Sequence, residues 1–182
     1  MGIVSSTENM ENLERIRNDN LKRAGLLEGK PSGKNVGIVW LSYNVHGNEA
    51  NSTEASMKTL YTWAERLNKE AQKWLENTVV ILDPCINPDG RDRYANWFRM
   101  TRNRWPNADP IAREHMSPWT GVRTNHYYFD LNHDWAWQTQ TESASRIQVY
   151  NQWLPHVQGE FHGQNSDSPY YIAHAAETYH EY

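Results

Sequence analysis

Cysteine is almost missing from this chain. The single Cys85 in 182 residues excludes an internal disulfide; its place beside an apolar run predicts a buried thiol and leaves the redox compartment undefined. Also missing is any run approaching the roughly 20 apolar residues of a membrane span, and the opening Met1-Gly-Ile-Val-Ser-Ser has neither the charged start nor the apolar centre of a signal peptide. No membrane partner is expected. Cations are outnumbered, 18 Lys and Arg against 22 Asp and Glu for a net charge of -4. They form no long block, so the clustered positive charge that grips a phosphate backbone is lacking and nucleic acid is not an expected partner. Repeats, low-complexity tracts and linkers are absent too, and 38% hydrophobic content suits one domain over 1–182 with a sizeable core. What the chain does have is aromatic side chains, 9 Trp and 10 Tyr. Packing in the core or at its rim is their first explanation, although such a surface could also bind sugars or peptides.

Hydrophobic spacing divides the chain into alternating strands and helices. Ser6-Thr7-Glu8 followed by Met10, Leu13, Ile16 and Leu21 predicts one capped helix ending near Gly25. Lys30-Pro-Ser-Gly-Lys34 is a turn, and Val36 to Tyr43 is a near-continuous apolar run, the signature of a strand buried on both faces. From Ser52, residues Met57, Leu60, Tyr61, Ala64 and Leu67 recur at helical spacing, with Ser52 or Thr53 as cap. Thr78 to Leu82 supplies a second apolar strand, stopped by Asp83-Pro84. This βαβ pattern predicts an α/β fold with a mainly parallel sheet covered by helices. Residues 84–137, rich in Pro, Asn, Arg and Trp, show little periodicity of either kind and read as a long functional loop. Thr139 to Leu154 then predicts a helix with Ala144, Ile147, Tyr150 and Leu154 on one face, and His156 to Phe161 predicts a third strand.

Three segments could carry chemistry: His46-Gly-Asn-Glu49 after the first strand, Asn87-Pro-Asp-Gly90 after the second and Phe161-His162 at the end of the third. In open α/β sheets ligands bind beyond the carboxyl ends of the strands, so His46, Glu49 and His162 can meet at one edge. Two imidazoles and a carboxylate form the ligand set of a hydrolytic zinc site whose fourth position is open to water. A His and a Glu three apart is weak evidence alone, since His174-Ala-Ala-Glu177 has the same spacing. Context separates the two, because a buried strand leads into His46, a glycine follows it and a capped helix comes next.

Taken in order, Val45-His-Gly-Asn-Glu49, Asn87-Pro-Asp-Gly90, Arg123-Thr-Asn125, Asp130-Leu-Asn132 and Phe161-His162 resemble the carboxypeptidase A-like zinc metallocarboxypeptidases, the funnelins, and most of all an aromatic-rich bacterial branch. The resemblance covers about residue 36 to 182. It implies a carboxypeptidase-like fold, peptide substrates, Zn²⁺ as cofactor and His46, Glu49 and His162 as its ligands. It further implies that Asp130 accepts a hydrogen bond from the first zinc histidine, fixing its tautomer. Arg123 would stabilise the oxyanion of the scissile carbonyl, an effect of about 3 kcal/mol in a water-poor site; Arg99, Arg102 and Arg104 are its competitors and read as solvated surface cations. Asn132 and the residue after it would clamp the substrate's terminal carboxylate.

Two departures from the family pattern stand out. The clamp position after Asn132 holds His133 where the family carries arginine, and histidine lacks arginine's permanent charge and two-pronged grip. Classical C-terminal specificity is therefore in question. The family's catalytic glutamate, and the tyrosine before it, follow the third zinc ligand at a distance this chain does not reach, Glu177 and Glu181 being too early. The expectation is a partial catalytic domain, shortened at both ends, from a secreted or periplasmic parent. Two alternatives remain open: an amide deacylase of the aspartoacylase or succinylglutamate desuccinylase type, and a catalytically incomplete zinc- or peptide-binding module.

Overall fold

The computed structural model describes residues 1–163. Four strands form one mixed sheet in the order β1-β3-β2-β4. Strands β2 (Gly37–Tyr43) and β3 (Thr78–Asp83) are its centre and run parallel, with Trp40 opposite Ile81. Strand β4 (Val157–Phe161) lies parallel to β2 on one edge. The three-residue β1 (Gly2–Val4), too short to show as a pattern, pairs antiparallel with β3 on the other. Both faces of the central strands are covered, as their apolar runs require. On one face Ile38, Trp40, Val79 and Ile81 pack with Ile16 and Trp153, and on the other Tyr43, Val80 and Leu82 pack with Leu75, Leu60 and Trp63.

The predicted first helix is two helices, α1 (Thr7–Glu11) and α2 (Leu13–Arg23). Ser6 does cap α1, accepting from the Asn9 N–H, but the chain breaks at Asn12, where φ is -115°. Helix α3 (Asn51–Ala64) and a second short helix, α4 (Lys69–Leu75), cover one face. Of the apolar stripe predicted for α3, only Leu60 reaches the sheet. Met57 and Tyr61, and Leu67 beyond the helix, are exposed, while Ser52 and Ser56 are buried and Leu60 and Trp63 pack on the sheet. Small hydroxyl residues let α3 approach closely, and Ser56 Oγ bonds back to Thr53 O at 2.6 Å. Nor does Ser52 or Thr53 cap this helix. Ser52 Oγ donates to Glu49 O at 3.0 Å and Thr53 Oγ1 to Asn44 Oδ1 at 3.0 Å, so both hydroxyls bind the loop that carries His46.

The stretch read as a long loop contains α5 (Pro88–Thr101), the short α6 (Trp119–Arg123) and 3-10 turns at Arg113–His115 and Leu131–His133. Helix α7 (Thr141–Trp153) lies one residue earlier in phase than predicted: Ser143, Arg146 and Trp153 are buried and Ala144 is exposed. The guanidinium of Arg146 stacks 3.9 Å from the Trp135 ring centroid, so an arginine occupies the place where an apolar residue was sought. Cys85 is half-buried, with burial raising its thiol pKa. Among the described residues no helix is long and apolar enough to cross a membrane.

Candidate metal centre

The parallel strands point their carboxyl ends the same way, and the functional side chains cluster beyond those ends. After β2, Asn44 adopts a left-handed conformation with φ 57° and turns the chain sharply; its side-chain amide donates to His46 O at 2.6 Å. Glycine then does what no other residue can. A Cβ on Gly47 would lie 2.1 Å from the backbone carbon of Gly90, and one on Gly90 2.6 Å from Thr124 O. The segments His46–Glu49, Asn87–Gly90 and Val122–Asn125 therefore cross backbone against backbone. Asn87 caps α5 by accepting from the Gly90 N–H at 2.9 Å, with Pro88 at the first helical position.

This scaffold brings His46 and Glu49 together with His162, which follows the last residue of β4. One ligand atom from each lies within 4.8 Å of the others. His46 is buried, and its Nδ1 stands 3.0 Å from Glu49 Oε1 and 3.3 Å from His162 Nδ1. Its Nε2 meets Asp130 Oδ1 at 3.1 Å. A proton held on Nε2 by Asp130 leaves Nδ1 as the lone-pair donor, so the Asp130 contact sets the tautomer that a metal would need. Glu49 Oε2 accepts from the Gly163 N–H at 2.8 Å and lies 3.4 Å from His162 Nδ1. Two imidazole nitrogens facing each other across one carboxylate fit a borderline-soft divalent ion such as zinc.

Charge is concentrated here. Burial disfavours the Glu49 carboxylate, but His162, His46 and the Gly163 N–H outweigh it and bring its pKa down to about 2. Glu49 in turn raises the pKa of His162 against the effect of burial. Asp130 is also partly desolvated, yet the Asn132 N–H, His46 and Arg123 keep its pKa below the usual carboxylate value. Arg123 binds both acids, its Nε 3.3 Å from Asp130 Oδ2 and its Nη1 3.6 Å from Glu49 Oε1.

The remaining sequence candidates are less closely drawn in. Asn132 is half-buried and its backbone N–H donates to Asp130 Oδ1 at 3.0 Å, while the His133 side chain is exposed. Arg99, Arg102 and Arg104 are exposed. Tyr127 and Tyr128, for which packing was expected, are 77% and 61% exposed, and Trp135 is half-buried. His174, Glu177 and Glu181 lie outside the described residues. Asn44 was not singled out in the sequence, and Asn87 and Asn125 stood in its motifs without a role. The buried Asn125 side-chain oxygen accepts from the Tyr127 and Phe129 N–H groups at 3.0 and 2.9 Å, which shapes the bend between Arg123 and Asp130. The available signal was Asn-Pro-Asp itself, a cap, a first-turn proline and a first-turn acid.

The zinc carboxypeptidase family model matches residues 6–169, and the chain belongs to that family of metallopeptidases. Zinc is the cofactor that membership implies, and His46, Glu49 and His162 form the group that could hold it. No curated protein matches the chain.

Proposed function

We propose that this chain carries the metal-binding part of a peptidase site that hydrolyses peptide bonds near a substrate's carboxyl end. The observation that carries the reading is the pairing of His46 Nδ1 and His162 Nδ1, 3.3 Å apart on the Glu49 carboxylate. When bound there, zinc supplies Lewis acidity that activates water and polarises a carbonyl. The chain's own residues do the rest. Asp130 orients His46, and Arg123, anchored by Asp130, presents fixed positive charge beside the donor group, where negative charge would develop on a substrate carbonyl oxygen. Asn132 and His133, next along the chain, face the substrate's terminal carboxylate in this reading. Membership in the zinc carboxypeptidase family favours it over the amide deacylase.

Zinc content and turnover of blocked dipeptides with a free carboxyl end test this together. The expected result is about one zinc per chain and, with the segment bearing the family's catalytic glutamate appended, metal-dependent hydrolysis. Zinc binding without turnover supports the non-catalytic module, cleavage of N-acyl amino acids alone supports the deacylase, and a chain that binds no zinc overturns the metal assignment.

A further inference from the structure

Asn87 is fully buried and uses its whole carboxamide. Besides capping α5 through its oxygen, it donates through Nδ2 to two backbone carbonyls, Val45 O at 3.1 Å and Arg123 O at 2.9 Å. Val45 precedes the first candidate metal ligand, and Arg123 carries the guanidinium nearest to Glu49 and Asp130. The Arg123 carbonyl receives a second bond, from the Gly47 N–H at 3.0 Å. The backbone N–H of Asn87 donates to Asn44 O at 3.1 Å, so one residue is tied to two successive carbonyls at the start of the loop that carries His46.

We propose that Asn87 is a positioning residue: its amide group fixes the spacing between the loop bearing His46 and Glu49 and the segment bearing Arg123, without touching metal or substrate. The functional meaning of this role rests on the metal-site reading above, but the bridge itself does not. A helix cap needs only an acceptor, and serine supplies that as well as asparagine. A bridge between two carbonyls needs two N–H donors on one atom, and serine has none to replace them. Asn87→Ser therefore separates the two roles.

Amide hydrogen exchange reads the bridge directly and needs no metal. In Asn87→Ser, the Gly47 N–H, which bonds to the Arg123 carbonyl, is expected to exchange at least tenfold faster, whereas the Gly90 N–H keeps its protection through the serine hydroxyl. Unchanged Gly47 exchange in the folded variant overturns the proposal. If Asn87→Ser does not fold, the wild type decides: Gly47 and Gly90 are expected to exchange at rates within about threefold of each other through one shared opening, and a freely exchanging Gly47 beside a protected Gly90 overturns the bridge. Zinc affinity by chelator competition gives the functional consequence, about tenfold weaker in the folded Asn87→Ser, on the scale of other outer partners of metal ligands. Wild-type affinity in that variant removes the link to the metal centre, whereas a wild type that binds no zinc counts against the metal reading and leaves the exchange result to judge the bridge.

Discussion

The ligand side and the proposed substrate side of this site are built differently. His46 is buried at the end of a central strand, its loop held by Asn44, Ser52 and Thr53 and pressed against Gly90. His133 and the tyrosines at 127 and 128 stand in solvent on a bend shaped by Asn125, with Tyr128 itself at a left-handed φ of 62°. The first set has almost no freedom left, and the second is free to differ between relatives without disturbing the core. A departure from the family pattern at His133, as the resemblance suggests, fits this contrast: an exposed position tolerates exchange, and a crossing of two backbones does not.

The strongest way to break the contrast is to remove a ligand. His46→Ala or His162→Ala is expected to weaken zinc binding by more than about 100-fold, beyond the 10- to 100-fold typical of losing an outer partner, which is the range expected for Asp130→Ala. Chelator competition measures all three, and a His162→Ala protein that holds zinc like the wild type removes His162 from the site. Next in size is the crossing itself. Gly47→Ala is expected to cost about 3 kcal/mol or more, because the neighbouring atoms are backbone and cannot move aside. Gly121→Ala, on α6 with nothing within 4 Å of its Cβ, is expected to gain about 0.5–1 kcal/mol. Urea unfolding of the two variants compares them, and equal midpoints mean that the crossing is not tight.

On the substrate side, His133→Arg is expected to leave thermal stability unchanged and to raise the preference for free-acid over C-terminally amidated peptides about tenfold, the effect of one two-pronged charged contact. An unchanged ratio of kcat/KM takes His133 out of contact with the carboxylate. The smallest effect lies far from the site. Asp19 is buried and accepts from the Ser32 and Gly33 N–H groups, both at 2.9 Å. The Ser32 bond, opposed by burial and aided by Gly33 and Lys22, lowers its pKa. Because the folded value lies below the unfolded one, this stabilisation is complete above the ordinary aspartate range and lost as pH falls through the folded value. Asp19→Asn is expected to flatten the acid limb of a plot of melting temperature against pH; an unaltered slope assigns that limb to other carboxylates.

The parts of the molecule that burial alone determines were legible. Strands β2 and β3 are marked by apolar runs, and β2 and the half-exposed β4 deliver His46, Glu49 and His162 to one edge. Faces that are buried without being apolar were hidden, even where the helix itself was predicted. Helix α3 turns Ser52 and Ser56 inward, and α7 buries Arg146 under Trp135. Helix α5 buries Gly90 and Thr101 and has Arg93 on its inner side, donating to Thr124 O at 2.8 Å. Apolar periodicity found α3 and α7 but not their buried faces, and it missed α5 altogether, although the Asn-Pro-Asp start of α5 marks where a helix begins. The motif order located the residues around the metal group, but not the backbone contacts that hold them, because a glycine's value lies in what stands opposite it.

The crossing of segments also bears on how this protein reaches its native state. In a zinc finger the ligands are close in sequence, and the ion can gather a short chain and drive its folding. Here His46 and Glu49 are three residues apart, but Asp130 meets His46 across 84 residues and His162 across 116. The bonds from Asn87 to Val45 and Arg123 span 42 and 36. Contacts of such length form late, after the sheet between them has closed most of the loops. Metal capture is therefore a sign that folding is complete rather than its seed, and a chelator present during refolding should leave the rate of sheet formation unchanged while preventing only the last gain in stability.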